Sequence, residues 1–426
     1  MRNIFIVADD LTGACDTGIK FRKAGWDTTV LVDGRKQTPL PTGKMQALAV
    51  NTDTRSASPE ESFSVVKRVL EAAGRQEGCR YYKKIDSVLR GNIQSELEAF
   101  FQVLHNELAI VAPAVPENGR RVRNGILYLG QEDNPDLETD ALEILRKSGQ
   151  RRCRSLPLDV IRRGPEAIIA EVDRGCEEGV SIFLADTWDE EDLHILAKAI
   201  GGLGERCVPA GSAGLAQYLA ELISAGQTCE EKPCGLEEAS GALLVVVGTR
   251  HPVTAGQIRY LRQQIQPETY LLPVEGLSEE NMEERVADLC SRIPADRTDW
   301  DGAVILLTTD VIYSSTQDCS FLLKENAYNR SIKEGIGLAV QSLMERIPVG
   351  GLIATGGDIS AEIFGRLKLD RISLCDEPIP GIVTGLAAGE TGKKFLVATK
   401  SGGFGNPDAL LELCRHMQRV DQYLLK

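Results

Sequence analysis

Three aspartates near the start of the chain have the residue type and spacing of a site that does chemistry. Asp9 and Asp10 follow the apolar segment 4–8 within the stretch IVADDLTGACDTG, and Asp16 comes on the next helical turn. Carboxylates are costly to bury unless they are paired or coordinate a ligand. Capping of the following helix by Asp10 would use one carboxylate but not all three. The stretch therefore predicts a binding or reactive site at the carboxyl end of a buried strand.

A second group of charged residues lies in YYKKIDSVLRGN, residues 81–92, at the end of another predicted strand. In an acidic protein the cluster of Lys83, Lys84, Asp86 and Arg90 predicts an anion pocket, in which Arg90 can bind a carboxylate through two hydrogen bonds and a lysine acts as a point charge. A solvated charged turn is the alternative interpretation. The stretch VAPAVPENGRRVRNG, residues 111–125, is interpreted as a long irregular loop of the kind that often holds a ligand, with Arg120 within it. Solvated side chains at residues 120–123 are the alternative interpretation.

Small residues precede predicted helices at several places in the chain. In PAGSAGLAQYLA they are Gly211, Ser212 and Gly214, whose backbone can approach a ligand while the helix N-terminus offers free N–H groups to an anion. Ser212 as a helix N-cap is the alternative interpretation.

Three further strand-glycine-helix turns occur in the second half of the chain: VVVGTRHPVTAGQI, LIATGGDISAEIF and ATKSGGFGNPDAL. Each is weak evidence by itself, but three in one half predict a surface that binds phosphate groups. None of them contains a Walker loop or a dinucleotide-binding GxGxxG motif, so a nucleotide would be held in another way.

The elements that must position these residues alternate between strand-length apolar runs and helical patterns. Helices are predicted at 60–73 and 95–103, and strands at 4–8, 29–32, 47–50, 108–112, 182–185, 242–247, 302–307, 351–354 and 395–398. This alternation indicates parallel βαβ units. The polar stretch QTCEEKPCGLEEAS, residues 227–240, predicts a domain boundary. The chain is thus expected to be an α/β protein of two domains, residues 1–235 and 236–426, each with a mainly parallel sheet.

Composition narrows the function classes. A chain of 426 residues is too long for one ordinary core, and its net charge of −14 opposes binding to nucleic acid or to an anionic membrane surface. The absence of an apolar run of about 20 residues or of a signal-peptide core predicts a cytoplasmic protein. Eleven cysteines without a CxxC pair, with only four histidines, predict reduced and buried thiols and no metal centre.

Eight motifs, taken in chain order, resemble those of one enzyme family. They are ADDLTGACD, YKKIDSVLRGN, APAVPENGR and GSAGLA in the first half, and VGTRHPVTAGQI, TGGDIS, PGIVTGL and TKSGGFGNPDAL in the second. By these motifs the chain resembles the four-carbon acid sugar kinases, formerly a domain-of-unknown-function family. The resemblance implies an ATP-dependent carbohydrate kinase with a sugar-acid-binding N-terminal domain, a nucleotide-binding C-terminal domain and the active site in the interdomain cleft. It also implies a substrate of carbohydrate catabolism, threonate, erythronate or a 3-oxo-tetronate, phosphorylated at its terminal hydroxyl.

The resemblance also implies roles for individual residues. Asp10 is the expected proton acceptor for the terminal hydroxyl, with Asp86 as the second candidate. Mg²⁺ is expected to bridge the ATP phosphates, and because it usually keeps several waters, no protein ligand is assigned to it. The expected partners are the acid sugar and ATP, with homo-oligomerisation left open. The acid sugar is expected to contact Asp9, Arg55, Lys84, Arg90, Gly211, Ser212 and Gly214, and the nucleotide Thr249, Gly356, Gly357, Asp358, Ile359 and Gly402.

Two other functions are consistent with the same residues. An aldolase or dehydrogenase could use Lys84 and a carboxylate on a sugar acid, with the glycine turns holding a phosphate or a dinucleotide. A non-enzymatic sugar-acid-binding protein would close around its ligand without turnover. An enzyme is favoured because buried carboxylates beside anion sites are costly for a simple binding protein.

Overall fold

In the computed structural model of the protein, the chain forms two compact units, residues 1–231 and 232–426. The residues it describes are 3–35, 46–75, 78–131, 134–224, 241–249, 251–294, 297–314, 326–389 and 394–423. The boundary predicted after residue 235 lies outside these ranges and stays a prediction.

Two sheets are found in the described part of the first unit. Its strands are β1 (Asn3–Ala8), β2 (Asp27–Leu31), β3 (Gln46–Asn51), β4 (Cys79–Lys84), β5 (Leu108–Ala112), β6 (Arg120–Arg123), β7 (Ile126–Gln131), β8 (Asn134–Asp140), β9 (Cys153–Leu156), β10 (Ile182–Ala185) and β11 (Cys207–Gly211). The large sheet has the order β2-β3-β1-β4-β11-β5-β10-β9, and each of its pairings is parallel. Strands of parallel sheets are covered on both faces, which explains the continuous apolar runs of β1 and β5.

Helices connect these strands: α1 (Leu11–Lys23), α2 (Pro59–Ala73), α3 (Ile93–Leu104), α4 (Ala141–Lys147), α5 (Leu158–Ile161), α6 (Pro165–Glu177), α7 (Glu190–Leu203) and α8 (Ala213–Ser224). The local sequence explains where several of them begin. The side chains of Asp10, Ser58 and Asp189 accept hydrogen bonds from backbone N–H groups in the first turns of α1, α2 and α7. Amphipathic spacing then buries one face, as with Val66 and Leu70 of α2 in the core of the unit.

Residues 111–125 are more regular than predicted. After a short 3₁₀ turn at 116–118, β6 pairs antiparallel with β7, and β7 pairs with β8 in a separate three-stranded sheet. The expectation of a long irregular loop is wrong because Asn124 and Gly125, both with positive φ, form a two-residue hairpin connection between β6 and β7. The Asn-Gly pair was the sequence signal for this hairpin.

The second unit has five parallel strands and an antiparallel extension in its described part. Its strands are β12 (Ala242–Val247), β13 (Glu268–Leu272), β14 (Val304–Thr309), β15 (Val349–Thr355), β16 (Leu369–Ile379), β17 (Ile382–Gly389) and β18 (Lys394–Lys400), in the order β13-β14-β12-β15-β18-β17-β16. Strands β16 and β17 pair antiparallel, as do β17 and β18. The helices are α9 (Pro252–Ile265), α10 (Met282–Ser291), α11 (Asp310–Ser314), α12 (Asn326–Met344), α13 (Gly357–Arg366) and α14 (Ala409–Tyr423).

Strand register places the charged and glycine-rich segments at the carboxyl edges of the two sheets. In the first unit Ala8 lies opposite both Asn51 and Lys84, so the segments after β1, β3 and β4 leave the sheet at one level. In the second unit Thr355 lies opposite both Val247 and Lys400, which brings the three glycine turns to one edge. These edges are where α/β sheets bind ligands. The predicted fold class, two α/β domains with mainly parallel sheets, is confirmed.

Cysteine chemistry follows the prediction at most described positions. Seven cysteines are free, and five of these are buried. Cys375 is disulfide-bonded, which contradicts the expectation of reduced thiols at this position. The side chain of Cys375 is half-buried on β16, in contrast to the five buried free cysteines. Among the described residues, no helix is long and apolar enough to span a membrane.

Candidate active site

Arg55 joins two aspartates at the carboxyl edge of the first unit's sheet. Asp9 and Asp10 directly follow β1, and Arg55 comes four residues after β3. Arg55 donates to both oxygens of Asp9, from Nε and Nη2 at 2.9 Å each, and to both oxygens of Asp10, from Nη1 and Nη2 at 2.8 Å each. These four hydrogen bonds use most of the five guanidinium N–H groups, so Arg55 mainly positions the two carboxylates.

The carboxylate of Asp10 is fully engaged within the protein. Its Oδ1 accepts from the backbone N–H of Gly13 at 2.9 Å, and its Oδ2 accepts from the hydroxyl of Thr12 at 2.7 Å. With the two bonds from Arg55, each oxygen accepts two hydrogen bonds. Asp10 therefore caps α1, as the alternative interpretation held, and is ion-paired as well. A substrate hydroxyl would have to replace one of these donors, and the Thr12 hydroxyl is the neutral side-chain donor among them.

Asp16 belongs to the same helix as the cap formed by Asp10. It is half-buried further along α1, where its charge acts on Tyr82 and Arg120. Arg120 is itself tied to the neighbouring turn, since its Nη1 donates to the hydroxyl of Ser87. Of the three aspartates singled out in the sequence, Asp9 and Asp10 are joined by Arg55.

Asp86 and Arg90 form a second ion pair beside the first. Asp86 accepts hydrogen bonds from Arg90 Nε at 2.9 Å and Nη2 at 2.8 Å, and from the backbone N–H groups of Val88 and Arg90. Its Oδ1 also lies 3.7 Å from Nη1 of Arg55, which links the two pairs. The Arg90 side chain is 65% exposed. Its Nε edge is thus occupied by Asp86, while its Nη1 end faces outward from the pair.

Electrostatics keep these carboxylates ionised. Burial is the largest single influence and would raise the pKa of Asp9 and of Asp86, but the basic side chains around each carboxyl together outweigh it, chiefly Arg55 and Lys83 at Asp9 and Arg90 and Arg55 at Asp86. The pKa of each of the two carboxyls is therefore held below its ordinary value. Burial would lower the pKa of Arg55, yet the charges of Asp9 and Asp10 raise it above its ordinary value. At neutral pH the cluster can accept hydrogen bonds from a bound hydroxyl.

Lys84 and the segment after β11 lie next to this cluster. The Lys84 ammonium is buried and donates to the carbonyl of Ile85 at 2.7 Å, and a Cβ placed on Gly13 would lie 3.0 Å from its Nζ. Gly211 lies opposite Lys84 in the sheet. The hydroxyl of Ser212 donates to Ala114 O at 2.7 Å and accepts from Gly214 N at 3.2 Å. The second bond is the helix N-cap of the alternative interpretation. The structure thus brings Lys84 and residues 211–214 together.

A buried ion pair beneath Asp9 was not among the predicted site residues. Lys83 and Glu96 form a salt bridge with side-chain exposures of 0% and 2%, and Thr54 donates to Glu96 Oε1 at 2.5 Å. Burial raises the pKa of Glu96 above its ordinary value, whereas the Lys83 charge opposes this. Lys83 also helps to lower the pKa of Asp9. The signal was a second lysine at the end of an otherwise buried strand, in YYKKIDS.

Thr249 is the point where the three glycine turns of the second unit meet. A Cβ on Gly402 would overlap the Thr249 hydroxyl, and a Cβ on Gly356 would lie 3.4 Å from Thr249 Cβ. Gly356 also has φ of +99° and donates its N–H to the carbonyl of Lys400 at 2.8 Å. Both positions therefore require glycine, and the backbones of all three turns approach each other closely. The predicted residues Thr249, Gly356 and Gly402 come together in the structure.

Two protein-family models match the chain. The model described as a sugar-binding N-terminal domain matches residues 4–219, and the one described as a nucleotide-binding C-terminal domain matches residues 244–410. A D-threonate kinase of Bordetella bronchiseptica is 32% identical over 421 residues, covering 96% of each chain. The chain belongs to the four-carbon acid sugar kinase family.

Another relative agrees with this membership, and a solved structure shares the fold. A D-erythronate kinase of Heliobacterium modesticaldum is 26% identical over 435 residues, 96% of this chain and 95% of the relative. A solved structure from Salmonella typhimurium LT2 shares the fold, with a TM-score of 0.76 and 23% identity over 98% of this chain and 100% of that one. The predicted family and enzyme class, a kinase of four-carbon acid sugars, are confirmed.

The remaining predicted nucleotide contacts of this kinase lie on α13. Gly357 and Asp358 are in its first turn, and the Asp358 side chain is exposed at the carboxyl edge of the sheet. Ile359 is buried, and a Cβ on Gly248 would lie 2.6 Å from its Cδ1. The side chain of Ile359 is therefore part of the core, so its contribution to a nucleotide site is limited to its backbone. As contacts, the three residues stay predictions.

Lys400 is a residue of the kinase that the sequence analysis did not single out. It ends β18, has an exposure of 0%, and donates to the Thr254 hydroxyl at 3.0 Å and to the Ser401 carbonyl at 2.9 Å. Burial lowers its pKa to about 7. The signal was a lysine between an apolar strand and a glycine-rich turn, in FLVATKSGG.

The buried lysine predicts a pH dependence of stability. Between pH of about 7 and its ordinary pKa, Lys400 is neutral when folded but protonated when unfolded, so unfolding takes up a proton and stability rises with pH. Lys400→Met should remove this rise, which amounts to about 1.4 kcal/mol per pH unit within the window. Urea unfolding from about pH 7 to 10 measures the slope. Lys394→Met, at the exposed start of the same strand, should keep the wild-type slope, and parallel curves for wild type and Lys400→Met would contradict the assignment.

Within the described ranges, no group of three or more histidine, cysteine, aspartate or glutamate side chains has the arrangement of a metal site.

Proposed function

We propose that this kinase transfers the γ-phosphoryl group of ATP to the terminal hydroxyl of a four-carbon acid sugar, with the acid bound by the first unit and the nucleotide by the second. The observation that carries the proposal is the charge arrangement after β1, β3 and β4. Three carboxylates there are paired with arginines, and two basic side chains, Lys84 and Arg90, keep N–H groups beyond those bound to Ile85 and Asp86. Such a site can bind an anion and a hydroxyl together.

In this proposal the substrate carboxylate binds Arg90. The Nη1 end of its guanidinium is directed away from Asp86, and its exposure leaves it accessible to a small acid. Lys84 supplies a second positive charge close to Asp10. Asp9, Arg55 and the backbone of residues 211–214 complete the pocket, Arg55 by holding the two aspartates and the others by contact with the hydroxyl groups.

Asp10 is the proposed acceptor of the hydroxyl proton, and Asp86 is the second candidate. Phosphoryl transfer requires that the hydroxyl be aligned with the γ-phosphate, that charge be neutralised and that water be excluded. By taking the place of the Thr12 hydroxyl on Oδ2, the substrate hydroxyl would gain a strong acceptor without breaking the bonds from Arg55. The carboxylate then orients the nucleophile and receives its proton as transfer proceeds.

On the nucleotide side, the proposed contacts are backbone groups of the turns that meet at Thr249. Glycine at 356 and 402 leaves room for the Thr249 side chain, so the peptide groups of the turns lie close together, and such groups can bind phosphates. Mg²⁺ is proposed as the ion that arrives bound to the ATP phosphates and neutralises their charge, because it usually uses few protein carboxylates and keeps several waters.

The first experiment is a substrate panel in which ADP release is measured with Mg²⁺-ATP. D-Threonate is proposed as the first acid to test, because the Bordetella relative bears that name. Erythronates, 3-oxo-tetronates and five- and six-carbon acids complete the panel, and NMR locates the phosphate. ADP formation with one four-carbon acid and phosphate on its terminal oxygen supports the proposal. Acid consumed without ATP, or no ADP with any acid, contradicts it.

Arg90→Ala is expected to raise the KM for the acid sugar by about 10- to 100-fold while leaving the KM for ATP unchanged. The reason is the loss of charge-assisted hydrogen bonds to the substrate carboxylate. The KM of Arg90→Lys for the acid sugar should lie between those of wild type and Arg90→Ala, because lysine keeps the charge but not the planar guanidinium. Arg123→Ala, an exposed arginine elsewhere in the same unit, is the matched control and should change neither constant. An effect of Arg90→Ala confined to ATP would overturn the assignment.

A further inference from the structure

Three buried side chains of the second unit hold the carbonyl groups of the glycine loop, residues 401–406. Lys400 Nζ donates to Ser401 O at 2.9 Å, and the Thr254 hydroxyl donates to Gly402 O at 2.6 Å. Gln257, one turn further along α9, donates from a single Nε2 to three carbonyls: Phe404 O at 3.0 Å, Gly405 O at 2.9 Å and Asn406 O at 2.9 Å. The three side chains are 0% exposed and contact each other in part, since Lys400 Nζ also donates to Thr254 Oγ1.

Because the peptide group is planar, these hydrogen bonds to the carbonyls also determine where the N–H groups of the loop point. In a trans peptide the C=O of one residue points opposite to the N–H of the next, and the described chain has no cis peptide. Five carbonyls are directed at the three side chains. Four N–H groups are consequently turned away from them: those of Gly402, Gly403, Gly405 and Asn406. Successive backbone N–H groups exposed on one side of a loop make an anion-binding concavity.

Stability alone does not account for Gln257. Its amide orientation is set by the three carbonyl acceptors around Nε2, because an oxygen at that place would be repelled by all of them. As a result, Oε1 is buried without a hydrogen-bond partner among the described residues. An unsatisfied buried acceptor is costly, so the side chain is better explained by the backbone arrangement that it imposes on the loop.

We propose that Thr254, Gln257 and Lys400 are positioning residues that turn the N–H groups of the glycine loop toward the phosphate groups of the nucleotide. This inference rests on the proposed function, in which the second unit binds ATP. The three residues are not proposed to contact the phosphates themselves, since they are buried and their donor groups are directed at the loop carbonyls.

The test separates binding of phosphate from binding of the nucleoside. ADP and adenosine are titrated calorimetrically into wild type, Thr254→Val and Gln257→Met. Each variant is expected to bind ADP about tenfold or more weakly, because the loop amides are no longer held in place, while its affinity for adenosine stays unchanged. KM for ATP should rise in parallel, with KM for the acid sugar unaltered.

Two controls accompany the variants. Thr254→Ser keeps the hydroxyl and should restore wild-type ADP affinity. Thr269→Val removes a similar hydroxyl, which donates to Pro267 O at 2.8 Å at the amino end of β13, and should leave both affinities unchanged. If Gln257→Met does not fold, Thr254→Val decides the question by itself.

The outcomes distinguish this inference from the function on which it rests. The positioning role is overturned if wild type binds ADP and the variants bind it equally well. It is also overturned if the variants lose affinity for ADP and for adenosine to the same extent. Either result leaves the kinase proposal standing. Wild type that binds neither ligand and releases no ADP with any acid overturns both.

Discussion

Replacement of Asp10 by asparagine is expected to lower kcat by about 100- to 10,000-fold and to leave the KM for the acid sugar nearly unchanged. Asparagine can still accept the hydrogen bond from Gly13 N that caps α1, so the local backbone is preserved. What it loses is the negative charge that orients the substrate hydroxyl and receives its proton. Steady-state kinetics with the acid that gives ADP release measures both constants.

The neighbouring residues supply the controls for this prediction. Thr12→Ala removes the hydroxyl on Asp10 Oδ2 but leaves the carboxylate, and should retain turnover within a few-fold of wild type. Asp9→Asn loses a similar ion pair with Arg55 and should raise the KM for the acid more than it lowers kcat. Near-normal turnover of Asp10→Asn would remove this residue as the proton acceptor and make Asp86 the candidate.

Lys83→Met is expected to lower the free energy of unfolding of the first unit by about 3–5 kcal/mol, because it leaves the carboxylate of Glu96 buried without its ion-pair partner. The pKa of Glu96, already raised by burial, should rise further in the variant. When the pKa of a carboxyl is higher in the folded protein than in the unfolded chain, the protein loses stability as the pH rises from the lower value to the higher one. The difference in free energy of unfolding between wild type and Lys83→Met should therefore grow with pH. Urea unfolding and hydrogen exchange in α3 measure this difference.

A double variant isolates the electrostatic origin of this effect. Lys83→Met with Glu96→Leu removes both charges and should recover part of the lost stability, since no buried charge remains unpaired. Lys147→Met breaks an exposed pair with Glu143, separated by 3.2 Å on α4, and should change stability by less than about 1 kcal/mol. Equal effects of Lys83→Met and Lys147→Met would contradict the proposed importance of the buried pair.

Local sequence patterns carried most of the information about the fold. The apolar runs at 108–112, 182–185 and 242–247 coincide with β5, β10 and β12, because a strand buried on both faces must be apolar throughout. Strands that are less uniformly apolar were missed, among them the hairpin β16–β17 and the small sheet β6–β8. The sequence of β16 alternates and those of β6 and β8 are polar, so pairing with neighbouring strands, not composition, makes these three segments strands.

The predicted site residues show a similar division. The glycines at 356 and 402 stood out because a turn from strand to helix with small residues has a recognisable pattern. Lys400, Thr254 and Gln257 did not stand out, because each is an ordinary residue type whose role depends on contacts across 146–149 positions of sequence. Lys83 was visible as part of a charged stretch, but only its burial against Glu96 separates it from Lys84.

By itself the sequence determined the class of protein, since hydrophobic periodicity specifies α/β elements and the ordered motifs specify a family of acid sugar kinases. The tertiary structure decided which charges meet. Arg55 and Asp10 are 45 residues apart and form ion pairs only because β1 and β3 are neighbours in register. Whether a carboxylate caps a helix, pairs with an arginine or faces a ligand is a matter of a few ångströms, and hydrogen-bond and Coulomb energies change steeply over that distance.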